Sequence, residues 1–262
     1  MKDRGLAAYI SELLGTLVLV MFIGFVLSLF NQTDPASGTG ADFAVIGLVH
    51  AFGLFALIMT FGAVSGGHFN PAVTISAAIQ KRIDVVDAVV YILAQLSGAV
   101  LGALLVKSLI EDEGSLGGYG SAQISPALSG DFAGFVIEAI GTFVLVLVIC
   151  SVALNPRARQ EWAPLAIGST LGFLVMIFGP LTGGSFNPAR WFGPALIGDT
   201  LEASMLLPYV LGPIVGALLA TAVYKFVISG PQFAEGPEPP TSDARAVGQA
   251  VKDAETRTHN KT

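Results

Sequence analysis

Two stretches of this chain share the core Gly-Gly-x-Phe-Asn-Pro-Ala: GGHFNPAVT at Gly66–Thr74 and GGSFNPARWFGP at Gly183–Pro194, with their asparagines 117 positions apart. In each, Asn is a favoured helix N-cap, and Pro at the first helical position has a fixed φ and lacks an N–H that would be unpaired there anyway. The preceding glycine pair permits a tight left-handed turn into the helix. Each copy therefore starts a helix, and the sequence predicts two of about ten residues, Pro71–Gln80 and Pro188–Ile197. At about 1.5 Å per residue they reach roughly 15 Å, half of a ~30 Å hydrocarbon core. If two such half-spanning helices meet start to start at the middle of a bilayer, two positive dipole ends of about half a charge each face one another, and that place repels cations.

A bilayer setting follows from composition. Of 262 residues, 53% are hydrophobic and 12% charged, and the mean hydropathy is +0.72, which marks a membrane protein. The net charge of −6 comes without a basic cluster dense enough to follow a phosphate backbone, so nucleic acid is not an expected partner; the partner is the lipid bilayer. The single Cys150 allows no intrachain disulfide. The first apolar run has no small-residue cleavage site and reads as a retained span.

Six spans are expected: Tyr9–Phe30, Phe43–Val64, Val85–Leu109, Phe132–Leu154, Trp162–Phe178 and Met205–Val227. A charged start (residues 1–8) precedes the channel-like part (9–229), and a Pro-rich, charge-mixed tail without an apolar face (230–262) reads as disordered. Asn31–Asp42 reads as a polar loop, and the acidic, Gly/Ser-rich stretch Ile110–Gly130 divides a first copy (about 9–109) from a second (about 132–229). The copies echo one another beyond the asparagines. YISELLGTLVLV in the first span is answered by GFVIEAIGTFVLV in the fourth, which pairs Glu12 with Glu138 and Gly15-Thr16 with Gly141-Thr142. Small residues in the third span (Ser97, Gly98, Ala99, Gly102, Ala103) allow close helix packing. Lys2, Arg4, Lys81, Arg82, Arg157, Arg159 and Lys225 flank one set of span ends and Lys107 the other, which places both termini in the cytoplasm of a multi-pass protein of the cell membrane. With three spans per copy, the second must insert upside down relative to the first, an inverted repeat around a midplane site.

The doubled Asn-Pro-Ala, the arginine directly after the second one, the glutamates of spans one and four and the six-span inverted repeat resemble the aquaporin, or major intrinsic protein, family over about residues 9–229. The resemblance implies an all-α membrane fold of six transmembrane helices and two re-entrant half-helices, a passive pore for water and small uncharged solutes, no cofactor, and a homotetramer. The motifs Asn70, Pro71, Ala72 and Asn187, Pro188, Ala189 have a chemistry of their own. Each Asn carbonyl can cap its helix, leaving the amide NH₂ as a donor facing the pore, so a water bonded to both cannot also accept from its neighbour in the file. Proton hopping is interrupted there. Arg190, an intramembrane charge, must face a wet cavity or a partner. The family implies that it forms the narrowest constriction, with His50, Val175 and Gly184 as the other members, and that Glu12 and Glu138 brace the re-entrant loops. His68 reads as loop packing or pore lining. With Gly184 where mercury-sensitive members carry a cysteine, a thiol is not expected at the constriction.

Solute choice is read from the same four positions. Water-selective members carry an aromatic where this chain has His50 and a His where it has Val175, whereas glycerol-conducting members have Asp where it has Trp191. The set His50, Val175, Gly184, Arg190 is similar to plant tonoplast intrinsic proteins, which pass water and small uncharged nitrogen compounds. Gly179-Pro180-Leu181-Thr182-Gly183 and Phe192-Gly193-Pro194 are similar instead to glycerol facilitators. Three alternatives stand beside a water and ammonia channel: a glycerol or urea facilitator, a secondary transporter using the inverted repeat for alternating access, and a structural protein with a closed pore. No metal cluster, phosphate loop or nucleophile elbow points to an enzyme.

Overall fold

In lipid every backbone N–H and C=O must pair within its own segment, so each apolar run becomes a helix. The computed structural model describes residues 5–30 and 42–229. Lys2, Asp3 and Arg4, the polar loop before Asp42 and the tail from Gly230 lie outside the described residues. The helices are α1 (Gly5–Phe30), α2 (Phe43–Ser65), α3 (Pro71–Ile79), α4 (Val85–Leu109), α5 (Glu111–Leu116), α6 (Asp131–Ile149), α7 (Ala163–Thr182), α8 (Pro188–Ile197) and α9 (Gly212–Val223). Six segments are long and apolar enough to cross a membrane: α1, α2, α4, α6 with the π turn that follows it (Asp131–Leu154), α7 with the turn before it (Gln160–Thr182), and Ala203–Ile228 around α9. The half-length helices α3 and α8 complete an inverted repeat.

Caps set the helix starts. Asp42 Oδ1 accepts from Val45 N at 3.0 Å ahead of α2, and Asp84 Oδ1 accepts from Asp87 N at 2.9 Å ahead of α4. Both helices that precede a half-helix stop on a left-handed glycine, Gly66 after α2 and Gly183 after α7. The expected end of the fifth span at Phe178 is too early. Pro180 stands in the last turn of α7, where it removes only one bond of the ladder, and the helix continues to Thr182. The divider also holds more structure than expected: α5, then a 3₁₀ turn at Gly118–Gly120.

Packing follows the repeat. α1 lies on α4, α6 on α9, and α2 on α7 across the junction of the copies; α8 lies on α4 and α3 on α9, so each half-helix packs on a span of the other copy. The approaches are close because glycine permits them. A Cβ on Gly98 would overlap Leu13 O of α1, and one on Gly216 would overlap Ala139 O of α6. Gly15 and Gly141 are likewise seats for the rings of Phe69 and Phe186, which any Cβ there would strike. Large apolar side chains on the outer helix faces, among them Leu6, Leu93 and Phe226, remain exposed, as a lipid-facing surface requires.

Candidate functional site

The two Asn-Pro-Ala turns meet and hold one another. Asn70 Oδ1 caps α3 by accepting from Ala72 N at 2.9 Å, and Asn187 Oδ1 caps α8 by accepting from Ala189 N at 3.0 Å and Arg190 N at 3.3 Å. Each amide then reaches across: Asn70 Nδ2 donates to Phe186 O and Asn187 Nδ2 to Phe69 O, both at 2.9 Å. The sequence pointed both amide hydrogens at a pore; one of each pair is used by the opposite turn, which leaves each Asn one N–H. Phe69 and Phe186 adopt left-handed φ values of 47° and 50°, a conformation that costs a non-glycine residue roughly 1–2 kcal/mol. Their rings, wedged on Gly15 and Gly141, are fully buried and offset that strain.

Behind each turn lies a fully buried glutamate. Glu12 Oε1 accepts from Ser65 Oγ (2.7 Å) and His68 N (2.9 Å), and its Oε2 from Phe69 N (2.7 Å) and Gln95 Nε2 (2.8 Å). Glu138 Oε1 accepts from Thr182 Oγ1 (2.7 Å) and Ser185 N (3.0 Å), and its Oε2 from Phe186 N (2.6 Å). Tyr91 and Tyr209 complete the symmetry by donating to Ser65 O at 2.8 Å and Thr182 O at 2.9 Å. Gln95, which also donates to Thr74 Oγ1 at 2.9 Å, has Pro213 as its counterpart by position, so the first brace carries one bond more. Sequence reasoning named the glutamates and missed Ser65, Thr182, Tyr91, Tyr209 and Gln95; a lone Gln inside an apolar span was the signal available.

A cavity of about 400 Å³ runs past these turns, its wall reaching from Arg82 and Gln160 beside the helix ends to His50 and Arg190. Leu54, Leu145 and Leu171 make it largely apolar, and His68, Asn70 and Asn187 supply polar points. Arg190 is 1% exposed; its Nη1 donates to Gly120 O at 3.0 Å and its Nη2 to Gly183 O at 3.5 Å, while its buried Nε has no hydrogen-bond partner among the described residues. His50 Nδ1 lies 2.8 Å from Ile46 O. A carbonyl only accepts, so Nδ1 carries the proton, and Nε2 of the neutral ring is a buried acceptor with no hydrogen-bond partner among the described residues. Val175 and Gly184 touch one another, with Val175 Cγ2 3.3 Å from where a Gly184 Cβ would stand, but neither is on the cavity wall. Cys150 lines the cavity, and Gln80 Nε2 donates to its Sγ at 3.3 Å.

Known proteins are similar to this chain. The model of the major intrinsic protein family matches residues 2–224. The chain is 40% identical to glycerol uptake facilitator protein-like 6 of Lactiplantibacillus plantarum over 81% of its length and 94% of that protein. It is 35% identical to aquaporin TIP2-3 of Arabidopsis thaliana over 86% of its length and 88% of that protein. The solved aquaglyceroporin of Plasmodium falciparum superposes with a TM-score of 0.71 at 27% identity, covering 85% of this chain and 96% of the other. Two capped half-helices facing one another inside six membrane spans, together with these matches, make this chain a member of the major intrinsic protein family, an integral membrane channel and not an enzyme.

Proposed function

We propose that the chain is a passive channel for water and ammonia, with Asn70, Asn187, His50 and Arg190 as its working residues. The observation that carries this reading is that Asn70 and Asn187, each with one amide N–H left over from the crossed bonds, line one cavity together with His50 and Arg190. A water accepting from both amides points its own hydrogens away along the file and cannot receive a proton from a neighbour, and the two helix N-termini add a barrier to cations. At the far point His50 Nε2 accepts while Arg190 donates, which suits a small solute with both kinds of group. Channel-family membership argues against alternating access by a secondary transporter.

Osmotic shock of proteoliposomes, followed by stopped-flow light scattering, tests the reading. Shrinkage faster than that of empty liposomes, with a low activation energy, is expected; equal rates would rule out an open pore, the behaviour of a closed structural member.

Water and ammonia pass first in this proposal, and urea or glycerol weakly. Glycerol needs several hydroxyls satisfied while its carbon backbone lies on an apolar surface, and Val175, the one apolar side chain of the four residues expected at the constriction, stands off the cavity wall. The names of the Lactiplantibacillus and Plasmodium relatives favour a second reading, a glycerol facilitator. Parallel flux of the four solutes through wild type and His50→Phe/Val175→His decides between them. The double variant is expected to lose ammonia relative to water; a glycerol flux matching that of a facilitator overturns the order, and an unchanged profile removes His50 and Val175 from the constriction. We further place both termini in the cytoplasm and the assembly as a homotetramer. The plant TIP relative weighs towards a vacuolar membrane and the bacterial relative towards the cell membrane expected from the sequence.

A further inference from the structure

The segment between the two copies does more than join them. Three consecutive residues, Gly118, Tyr119 and Gly120, take left-handed φ values of 56°, 54° and 91°, and the last of them presents the carbonyl that receives Arg190 Nη1 at 3.0 Å. Around that carbonyl the segment is fixed at every side. A Cβ on Gly120 would stand 2.8 Å from Gly24 Cα of α1, and one on Gly24 would stand 3.1 Å from Tyr119 O. Gly118 O lies against Gly198 at the end of α8, and Ser121 Oγ is hydrogen-bonded to Thr200 Oγ1 at 2.7 Å. Ala122 sits where a Gly183 Cβ would clash, and Ser125 N donates to Leu181 O at 2.8 Å. The Tyr119 ring is buried, with Lys107 Nζ 5.5 Å above it. The strap thus touches α1, both ends of α8 and the end of α7.

We infer that the Gly118–Ser121 strap is the positioning element of Arg190, and that backbone contact between Gly24 and Gly120 sets how far the guanidinium stands into the constriction. The reasoning is one of tethers. A guanidinium has five N–H donors in a fixed plane, and among the described residues the one short bond it makes is to Gly120 O; the one to Gly183 O is long. Wherever Gly120 O stands, the planar group is aimed. A Cβ on Gly120 meets only backbone of α1, where no side chain can give, so a methyl there lifts the strap off α1 and carries the carbonyl with it; one on Gly24 would meet the Val106 side chain at 2.6 Å before Tyr119 O at 3.1 Å. The first repeat has Val73 at the position of Arg190 and needs no such strap.

This rests on the channel reading with Arg190 at the constriction, and the experiment separates the two. Urea and water permeabilities are measured on the same proteoliposomes for wild type, Gly120→Ala, Ser121→Ala/Thr200→Val, and Gly130→Ala, whose glycine is left-handed at φ 86° with open space around it. The ratio of urea to water is independent of how much protein inserts. Gly120→Ala is expected to raise that ratio several-fold while the activation energy for water stays low. The double variant, which keeps every glycine and removes only the pin to Thr200, should raise it less, and Gly130→Ala should leave it unchanged. A ratio unchanged in both strap variants, when Arg190→Val does change it, overturns the inference alone; a ratio unmoved by Arg190→Val as well overturns the placement of Arg190 on which it rests. A rise with Gly130→Ala equal to that with Gly120→Ala also overturns it, because left-handed strain anywhere would then suffice.

Discussion

Arg190→Val makes the channel leak protons or small cations while water still passes. The guanidinium is 1% exposed and held by carbonyls, and the Glu138 carboxylate, which attracts it from behind the turn, is taken up by Thr182, Ser185 and Phe186, so its charge is offset only in part. A monovalent cation about 4 Å away feels a repulsion of about 4 kcal/mol at an effective dielectric constant near 20. That corresponds to roughly a thousandfold in rate as an upper bound. Valine removes the charge and leaves a side chain the helix tolerates, and Asn187 still caps α8 through Ala189 N at 3.0 Å. A pH-sensitive dye trapped in proteoliposomes reads the leak under an imposed gradient, with water flux as the control for insertion. No leak from a variant that conducts water would mean that the paired helix N-termini suffice, or that Arg190 stands off the path.

Glu12→Leu is expected to cost more stability than any other single change in the two turns. It strands four donors at once, two of them backbone N–H groups of the turn itself, inside a fully buried site. Leaving a buried donor unpaired costs about 1–3 kcal/mol, so even partial relaxation leaves a loss of several kcal/mol. Glu138→Leu strands three and should be milder, since the second turn lacks an equivalent of Gln95. Thermal aggregation in detergent ranks the variants: wild type highest, Glu138→Leu next, Glu12→Leu lowest. Glu12→Gln keeps one acceptor oxygen and should fall between wild type and Glu12→Leu. A Glu12→Leu protein that melts with wild type would show that the turn is held by Asn70 and the Phe69 wedge instead.

What could be read beforehand was whatever a residue decides locally. Asn-Pro starts a helix wherever it stands, so α3 and α8 were legible to within a residue, and the six apolar runs left no other fold class. The paired glutamates were visible because the copies repeat them. What was not legible depends on which groups meet when the copies dock. Nothing in GGHFNPA says that the Asn70 amide will find Phe186 O, because that carbonyl belongs to a turn 116 residues away. The fifth span was expected to end at Phe178, yet Pro180 is only a missing bond in a last turn that runs on to Thr182. The glycines of the divider looked like punctuation, and Gly120 proved to be a ligand of Arg190 through its backbone, a role no side-chain motif can announce.

The crossed bonds between the turns also bear on the order in which the molecule comes together. The chain is made from its N-terminus, so α1 to α4 reach the bilayer before Phe186 exists, with an Asn70 amide whose acceptor has yet to be synthesised. In hydrocarbon an unpaired amide is expensive, so the first half is a frustrated intermediate by itself. α3 also waits for α9, and α4 stands without α8 until the second copy is made, because each half-helix lies on a span of the other copy. The centre of the passage is therefore the last place to become complete, and a chain interrupted partway has no half-sized pore to leave open in its host's membrane.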